Sequence, residues 1–363
     1  MKIIGKIWSS RVEYAALLER RAISAMAILA LSLFFACSAG KAPAHAQTTG
    51  NDSPMILSEH PLAGSLWQAE SGKQSEPQAL FEAIGSADYL LLGEKHDNPR
   101  HHALQTLLID QTGAQGRKVS LVFEMLEPHH QSDLDLAREM VSDSAGKQMT
   151  GSAAYLAELG EKLAWEARGW PNWSLYQPIF ASAIKHGMPL YAGNPERDAL
   201  MAAGREGKLS AQLLDDLWWE RTYDEEQSAS LTDELVAAHC GMMSAKAVAP
   251  MMVMQRLKDA HMARAMRKSR KEQGETALSI LIAGNGHSRK DRGVPMFLED
   301  DARVISVGLI EVVRGEEDAS SYGAFDPELY DWIWFTPRVD EIDPCDKFRE
   351  QLKAMQQGSS KKE

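Results

Sequence analysis

The sequence predicts an α/β protein with a mostly parallel sheet flanked by helices and a helical insertion forming a cap or side lobe. Three observations carry this reading. First, six short runs are bounded by Gly, Asn or Asp, and most are apolar throughout: Tyr89–Gly93, Val119–Glu124, Pro189–Gly193, Leu278–Gly284, Val304–Val313 and Trp332–Phe335. A strand covered on both faces needs such a run, because successive side chains point into opposite buried layers. Second, helical stretches separate the runs, and strand–helix alternation defines the α/β class. Third, the region from about residue 130 to 270 is mostly helical with one strand candidate inside it, which supplies the insertion.

In chain order, residues 1–36 read as a signal peptide of the lipoprotein type. Lys2, Lys6, Arg11, Arg20 and Arg21 precede an apolar run from Ala22 to Ala36. As a helix that run reaches about 22 Å, short of the roughly 30 Å hydrocarbon core, so a cleavable leader is expected. Phe34-Phe35-Ala36-Cys37 resembles a lipobox and makes Cys37 the lipid attachment site. That would place the protein in the cell envelope, as an outer-membrane lipoprotein facing the periplasm or the surface. Ala44-His45-Ala46 offers a rival cleavage pattern, releasing a soluble periplasmic protein. Residues 37–54, rich in small and polar residues, suit a tether. The folded domain spans 55–338, and 339–363 form a polar C-terminal tail with a last helix expected from Asp346 to Gln356.

Within the domain, Asp97-Asn98-Pro99 marks a helix start, since Asp or Asn caps and Pro fits the first helical position. Leu104, Leu107 and Leu108 continue it at helical spacing. Asp133–Glu161, Leu209–Tyr223 and Met251–Met266 are the helical stretches of the insertion.

With 51 acidic against 39 basic residues the formal charge is −12, which excludes a nucleic-acid binder working through a broad basic surface. Loss of the leader, with five basic and two acidic residues, makes it −15. An apolar content of 44% excludes intrinsic disorder. Of three cysteines, Cys240 and Cys345 remain if Cys37 carries lipid. A disulfide between them and two separate thiols are both compatible with the sequence.

The chemistry gathers at the strand ends. The first strand runs into Glu94-Lys95-His96, and in an extended segment Glu94 and His96 share a face while Lys95 points the other way. The other runs end in Glu124-Met125, Gly193-Asn194 and Gly284-Asn285-Gly286-His287. Open parallel sheets form their sites outside the carboxyl ends of the strands. Glu94, His96, Glu124, His287 and Asn194 are therefore expected to meet at one edge. Imidazole and carboxylate suit a divalent transition metal and equally an acid–base set, and both readings stand. The stretch 284–289 lacks the third glycine of a dinucleotide fingerprint, and no Gly-x-Ser-x-Gly, P-loop, Cys-x-x-Cys or His-Glu-x-x-His occurs.

Two further clusters invite a ligand. His239-Cys240-Gly241-Met242-Met243 with Met251, Met252, Met254, His261, Met262 and Met266 has the soft donors of a copper or haem site. Helical spacing through Met251, Met254, Leu257 and His261 favours core packing instead. Trp165, Trp170, Trp173 and Tyr176 would either floor a pocket for a flat ligand or pack a helix start.

Taken in order, Gly93–Asp97, Phe123–Met125, Trp173–Tyr176, His239–Met242, Gln255–Ala263 and Ile282–His287 resemble the motifs of the ChaN-like haem-binding uptake proteins of the Tiki superfamily. The resemblance runs from about residue 57 to 338, with Met188–Arg197 departing in detail. It implies a haem-binding lipoprotein of the bacterial envelope serving haem and iron uptake, with two haems held between the subunits of a homodimer. It further implies a tyrosine ligand to iron, for which Tyr176 is the candidate. The same superfamily includes metal-dependent hydrolases, protease or esterase in type. In that case Glu94, His96, Glu124 and His287 would be metal ligands or acid–base groups.

Overall fold

Alternation along the central strands decides how the layers stack. The computed structural model describes residues 55–142, 153–206, 209, 211–347 and 349. The leader, Cys37, the tether and most of the expected last helix lie outside the described residues. Eight strands form one sheet: β1 (Leu66–Gln68), β2 (Lys73–Ser75), β3 (Tyr89–Glu94), β4 (Val119–Phe123), β5 (Leu190–Ala192), β6 (Leu278–Gly284), β7 (Val304–Glu311) and β8 (Trp332–Thr336). Their order is β2-β1-β8-β7-β3-β6-β4-β5. Every pairing from β8 to β5 is parallel, while β1 pairs antiparallel with both β8 and β2.

The helices in chain order are α1 (Pro77–Ile84), α2 (Pro99–Ala114), α3 (Gln131–Ser142), α4 (Ala153–Lys162) and α5 (Trp173–Lys185). They continue with α6 (Arg197–Glu206), α7 (Ala211–Asp216), α8 (Glu225–Ala238), α9 (Ala245–Gln273) and the single turn α10 (Asn285–Ser288). α2 starts where the cap predicts: the Asn98 side chain accepts from the amides of Arg100 and His101, with Pro99 at the first position. Asp224 and Gln227 close a reciprocal capping box on α8.

Leu90, Leu92, Leu121, Phe123, Ile280 and Ile282 face one layer, where α2 and α5 contribute Leu104, Leu108, Ile179 and Phe180. Tyr89, Leu91, Val122, Leu281 and Ala283 face the other, against Leu257, Ala260, Met262, Ala263 and Met266 of α9. These are the two covered faces that the unbroken apolar runs require. Most of the helical insertion thus builds the layers of the sheet. A small lobe remains where α8 and the start of α9 pack Leu231, Leu235 and Val248 together, with Met251 and Met252 against them. Except for Met242, which is exposed, the methionines of this cluster serve packing, as their spacing favoured.

Two expectations change. β1 and β2 have three residues each, β2 lying at the sheet edge with polar Lys73 and Gln74, and both are too short for the apolar-run criterion to find. The helix expected over Leu209–Tyr223 is confined to α7, because Trp218 takes a left-handed backbone conformation (φ 53°). The Trp218 ring then lies beside the guanidinium groups of Arg267 and Arg221, at 3.7 and 4.6 Å. Cys240 and Cys345 form a disulfide (Cα–Cα 5.6 Å), resolving the two alternatives and tying the segment after β8 to the turn after α8. Among the described residues, no helix is long and apolar enough to cross a membrane.

Candidate functional site at the carboxyl edge of the sheet

Because β3, β4 and β6 run parallel side by side, their carboxyl ends deliver Glu94, Glu124 and His287 to one edge. At the end of β3 the alternation holds. Glu94 and His96 turn into the fold, while Lys95 points away and pairs with Glu311 and Asp97 at 3.2 and 3.3 Å. Glu94 Oε1 accepts the Tyr176 hydroxyl and lies 2.7 Å from His96 Nδ1. Its Oε2 accepts from Gln105 Nε2 at 2.7 Å and faces His102 Nδ1 at 3.4 Å. His102 Nε2 in turn donates to the His96 carbonyl at 2.9 Å.

Glu124 organises a second half. Its Oε2 accepts the Gly284 amide at 2.8 Å, and its Oε1 lies 3.1 Å from His287 Nε2 and 3.4 Å from Lys258 Nζ. A side chain at 284 would place its Cβ 3.2 Å from His96 Nε2, so glycine leaves room for the imidazole there. Asp259 Oδ1 holds His287 Nδ1 at 2.6 Å. His96 joins the halves: its Nε2 faces Glu124 Oε2 at 3.7 Å and has no hydrogen-bond partner. Trp170, half-buried, meets the His96 ring edge to face at 5.2 Å.

The carboxylates, the histidines and Tyr176 are buried, from Tyr176 at 0% to His96 and His102 at 2% exposure, so their ionisation states depend on one another. Burial disfavours the Glu94 carboxylate, but the charges of His102 and His96 and the hydrogen bonds from His96 and Tyr176 outweigh it and lower its pKa. Glu124 goes well below the usual carboxylate range, with His287 and Lys258 overcoming burial. Burial and the neighbouring Glu94 push the Tyr176 phenol well above its ordinary value. Asp259 is raised to about 6 by burial, which His287 only partly offsets.

Burial also opposes charge on His287, but Glu124 and Asp259 raise it to about 9. In the unfolded chain a histidine titrates near about 6.5, so the contribution of His287 is fully present below that pH and declines as pH rises through about 9. Asp259 is ionised in both states across that window. The urea midpoint should therefore fall between about pH 6.5 and pH 9, and His287→Gln should flatten the decline while lowering its starting point.

The structure thus brings Glu94, His96, Glu124 and His287 together, and it adds Tyr176 to them. Asn194 is buried nearby in the chain but bonds through its amide to the Leu126 carbonyl, and its side chain makes no hydrogen bond to the cluster. His102, Gln105, Lys258 and Asp259, from α2 and α9, were not read as site residues. Trp165, Trp173 and Tyr176 pack with Phe180 as an aromatic core beneath Trp170, with centroids 4.7–6.4 Å apart. Tyr176, the candidate iron ligand, is engaged elsewhere in this arrangement. Its oxygen is unexposed and gives its proton to Glu94, whereas a haem ligand needs an accessible phenolate. Glu94 and Glu124 sit at opposite nitrogens of His96, so the four Glu and His residues surround that imidazole, with a hydrogen bond on the Glu94 side and a 3.7 Å gap on the Glu124 side.

A mostly parallel sheet between helical layers, with a buried acid–histidine relay at its carboxyl edge, defines the class of protein. The sequence model of the family described as haem-binding uptake, Tiki superfamily, ChaN matches residues 80–298. The chain belongs to this haem-binding uptake family. Among solved structures it is similar to one described as cofacial heme binding to ChaN of Campylobacter jejuni. That likeness has 19% identity over 74% of this chain and 95% of the other, with a TM-score of 0.57, and supports the fold. More distant are the type III effector HopBA1 (16% identity, 71% and 92% coverage, TM-score 0.38) and a mutant erythromycin esterase in its open conformation (13%, 76% and 100%, 0.40). No curated protein matches the chain.

Proposed function

We propose that the protein binds haem and serves haem or iron uptake in a bacterial envelope. The observation that carries this reading is the family membership, whose matched span contains Glu94, His96, Glu124, Tyr176 and His287. The cofacial haem binding described for the Campylobacter jejuni protein supports it.

The buried cluster does not fit the macrocycle. Its carboxylates, histidines and Tyr176 are buried and the Trp165–Trp173–Tyr176 layer packs against it. Haem is therefore assigned to an exposed face, with the cluster shaping the scaffold behind it. Hemin titrated into the full-length protein should give a saturable Soret shift, and Tyr176→Phe should give the same shift. No shift with the wild type would overturn haem binding; loss of the shift in Tyr176→Phe alone would return the iron to Tyr176.

The homodimer and the lipid anchor at Cys37 belong to the same proposal. Labelled palmitate should enter the native protein and not Cys37→Ala. An unlabelled native protein would favour release after Ala46.

One observation favours a second reading, hydrolysis of an amide or ester. His96 Nε2 is a buried imidazole nitrogen with no hydrogen-bond partner, while the Glu94 carboxylate holds the opposite nitrogen at 2.7 Å, the arrangement of a general-base histidine. The relay suits this without metal, since the oxygens of both glutamates are already held by hydrogen bonds. Turnover of a chromogenic ester that drops about 100-fold or more in His96→Ala is the expected result. Wild-type protein without turnover, or equal turnover in the variant, rejects it.

A further inference from the structure

A second gathering of ligand-type side chains lies just past the carboxyl ends of β4 and β5, on residues the buried relay does not use. We propose that Glu127, His129 and Glu196 bind one divalent transition-metal ion. Their ligand atoms all lie within 4.8 Å of one another. His129 Nδ1 is 2.9 Å from Glu196 Oε2 and 4.0 Å from Glu127 Oε2. Donors about 2.0–2.1 Å from a tetrahedral ion sit roughly 3.3 Å apart, between those two separations, so small side-chain rotations complete the geometry.

The charge arithmetic favours a cation. Two carboxylates converge on a single imidazole nitrogen, and a neutral imidazole has one proton to give to one of them. An ion in place of that proton satisfies all three groups at once. Nitrogen beside oxygen donors selects zinc, nickel, iron(II) or manganese over calcium or magnesium.

The frame is fixed from both sides. The Asn194 amide donates to the Leu126 carbonyl at 2.8 Å, joining the two segments. Beyond that link, the Arg197 amide donates to Glu127 Oε2 at 3.0 Å and the His129 amide to Glu196 Oε1 at 3.0 Å. The His130 ring packs 3.8 Å from that of His129 and restricts its swing. Two residues before Glu196, Asn194 is nine-tenths buried and carries a carboxamide oxygen without a hydrogen-bond partner. The His129 and Glu196 side chains are 55% and 45% exposed, which leaves the ion an entry path and positions for water.

The site stands independently of haem binding. Zn²⁺ titrated calorimetrically into the full-length protein at pH 7.5 should bind at one saturable site, and Co²⁺ should give visible d–d absorption there. His129→Ala and Glu196→Gln, whose side chains are about half exposed, should weaken Zn²⁺ binding about tenfold or more, a loss that removing even a group behind a ligand often produces. His96→Ala should bind as the wild type does. Three results would overturn the proposal: no saturable Zn²⁺ binding by the wild type, unchanged affinity in both His129→Ala and Glu196→Gln, or loss confined to His96→Ala.

Discussion

Glu124→Ala should destabilise the protein by about 3–5 kcal/mol, measured by urea unfolding at pH 7. The carboxylate is fully buried and engages His287, Lys258 and the Gly284 amide. Truncation leaves two cationic side chains and an amide facing a cavity, a larger loss than the pair's own net worth. Glu124→Gln separates charge from shape: it keeps an acceptor for Gly284 but no longer balances His287, and should fall between alanine and the wild type. If Glu124→Ala unfolds at the wild-type midpoint, the relay does not contribute to stability and the hydrogen bonds described for it are not formed in solution.

Breaking the Cys240–Cys345 bond carries the second large effect. The cross-link closes a separation of 105 residues, and closing a loop of that order removes up to about 4.7 kcal/mol of unfolded-chain entropy; native disulfides typically contribute about 2–4 kcal/mol. Cys240→Ser, or reduction by dithiothreitol, should lower stability by that amount. The far-ultraviolet circular dichroism should stay the same, because the bond joins the turn after α8 to the segment after β8 and crosses none of the sheet. An unchanged midpoint on reduction would mean that the two cysteines are not bonded in the protein as isolated.

Both effects bear on how much could be read from residues alone. The six apolar runs became β3 to β8, because burial on both faces leaves a signature that needs no partner to recognise. Strand ends then pointed to Glu94, His96, Glu124 and His287, since parallel topology makes position along a strand equivalent to position in the fold. The residues that complete the relay came from helices, where one turn looks like another. Asp259 did leave a trace: it shares a helical face with Met262, Ala263 and Met266, all buried, and a carboxylate in an apolar stripe needs a buried partner. His102 and Gln105 sit on α2 in the same way, among Leu104 and Leu108. Cysteine pairing over 105 residues left no such trace, because it depends on where two distant segments end up. Tyr176 was placed in the right region of the chain, but its burial follows from α5 packing on α2, which the sequence does not display.

The strand order has a consequence for how the protein comes into being. β3 lies between β6 and β7, and β4 between β5 and β6, so the amino-terminal half contributes strands that only the carboxyl-terminal third can separate and cover. During synthesis from the amino terminus, Glu94 and Glu124 emerge long before Gly284 and His287 exist to meet them. The edge cannot close around its charges in a nascent or truncated chain. Assembly of the relay therefore acts as a completeness check on the polypeptide: a chain stopped before β6 carries two glutamates destined for burial without the amide and imidazole that make burial tolerable.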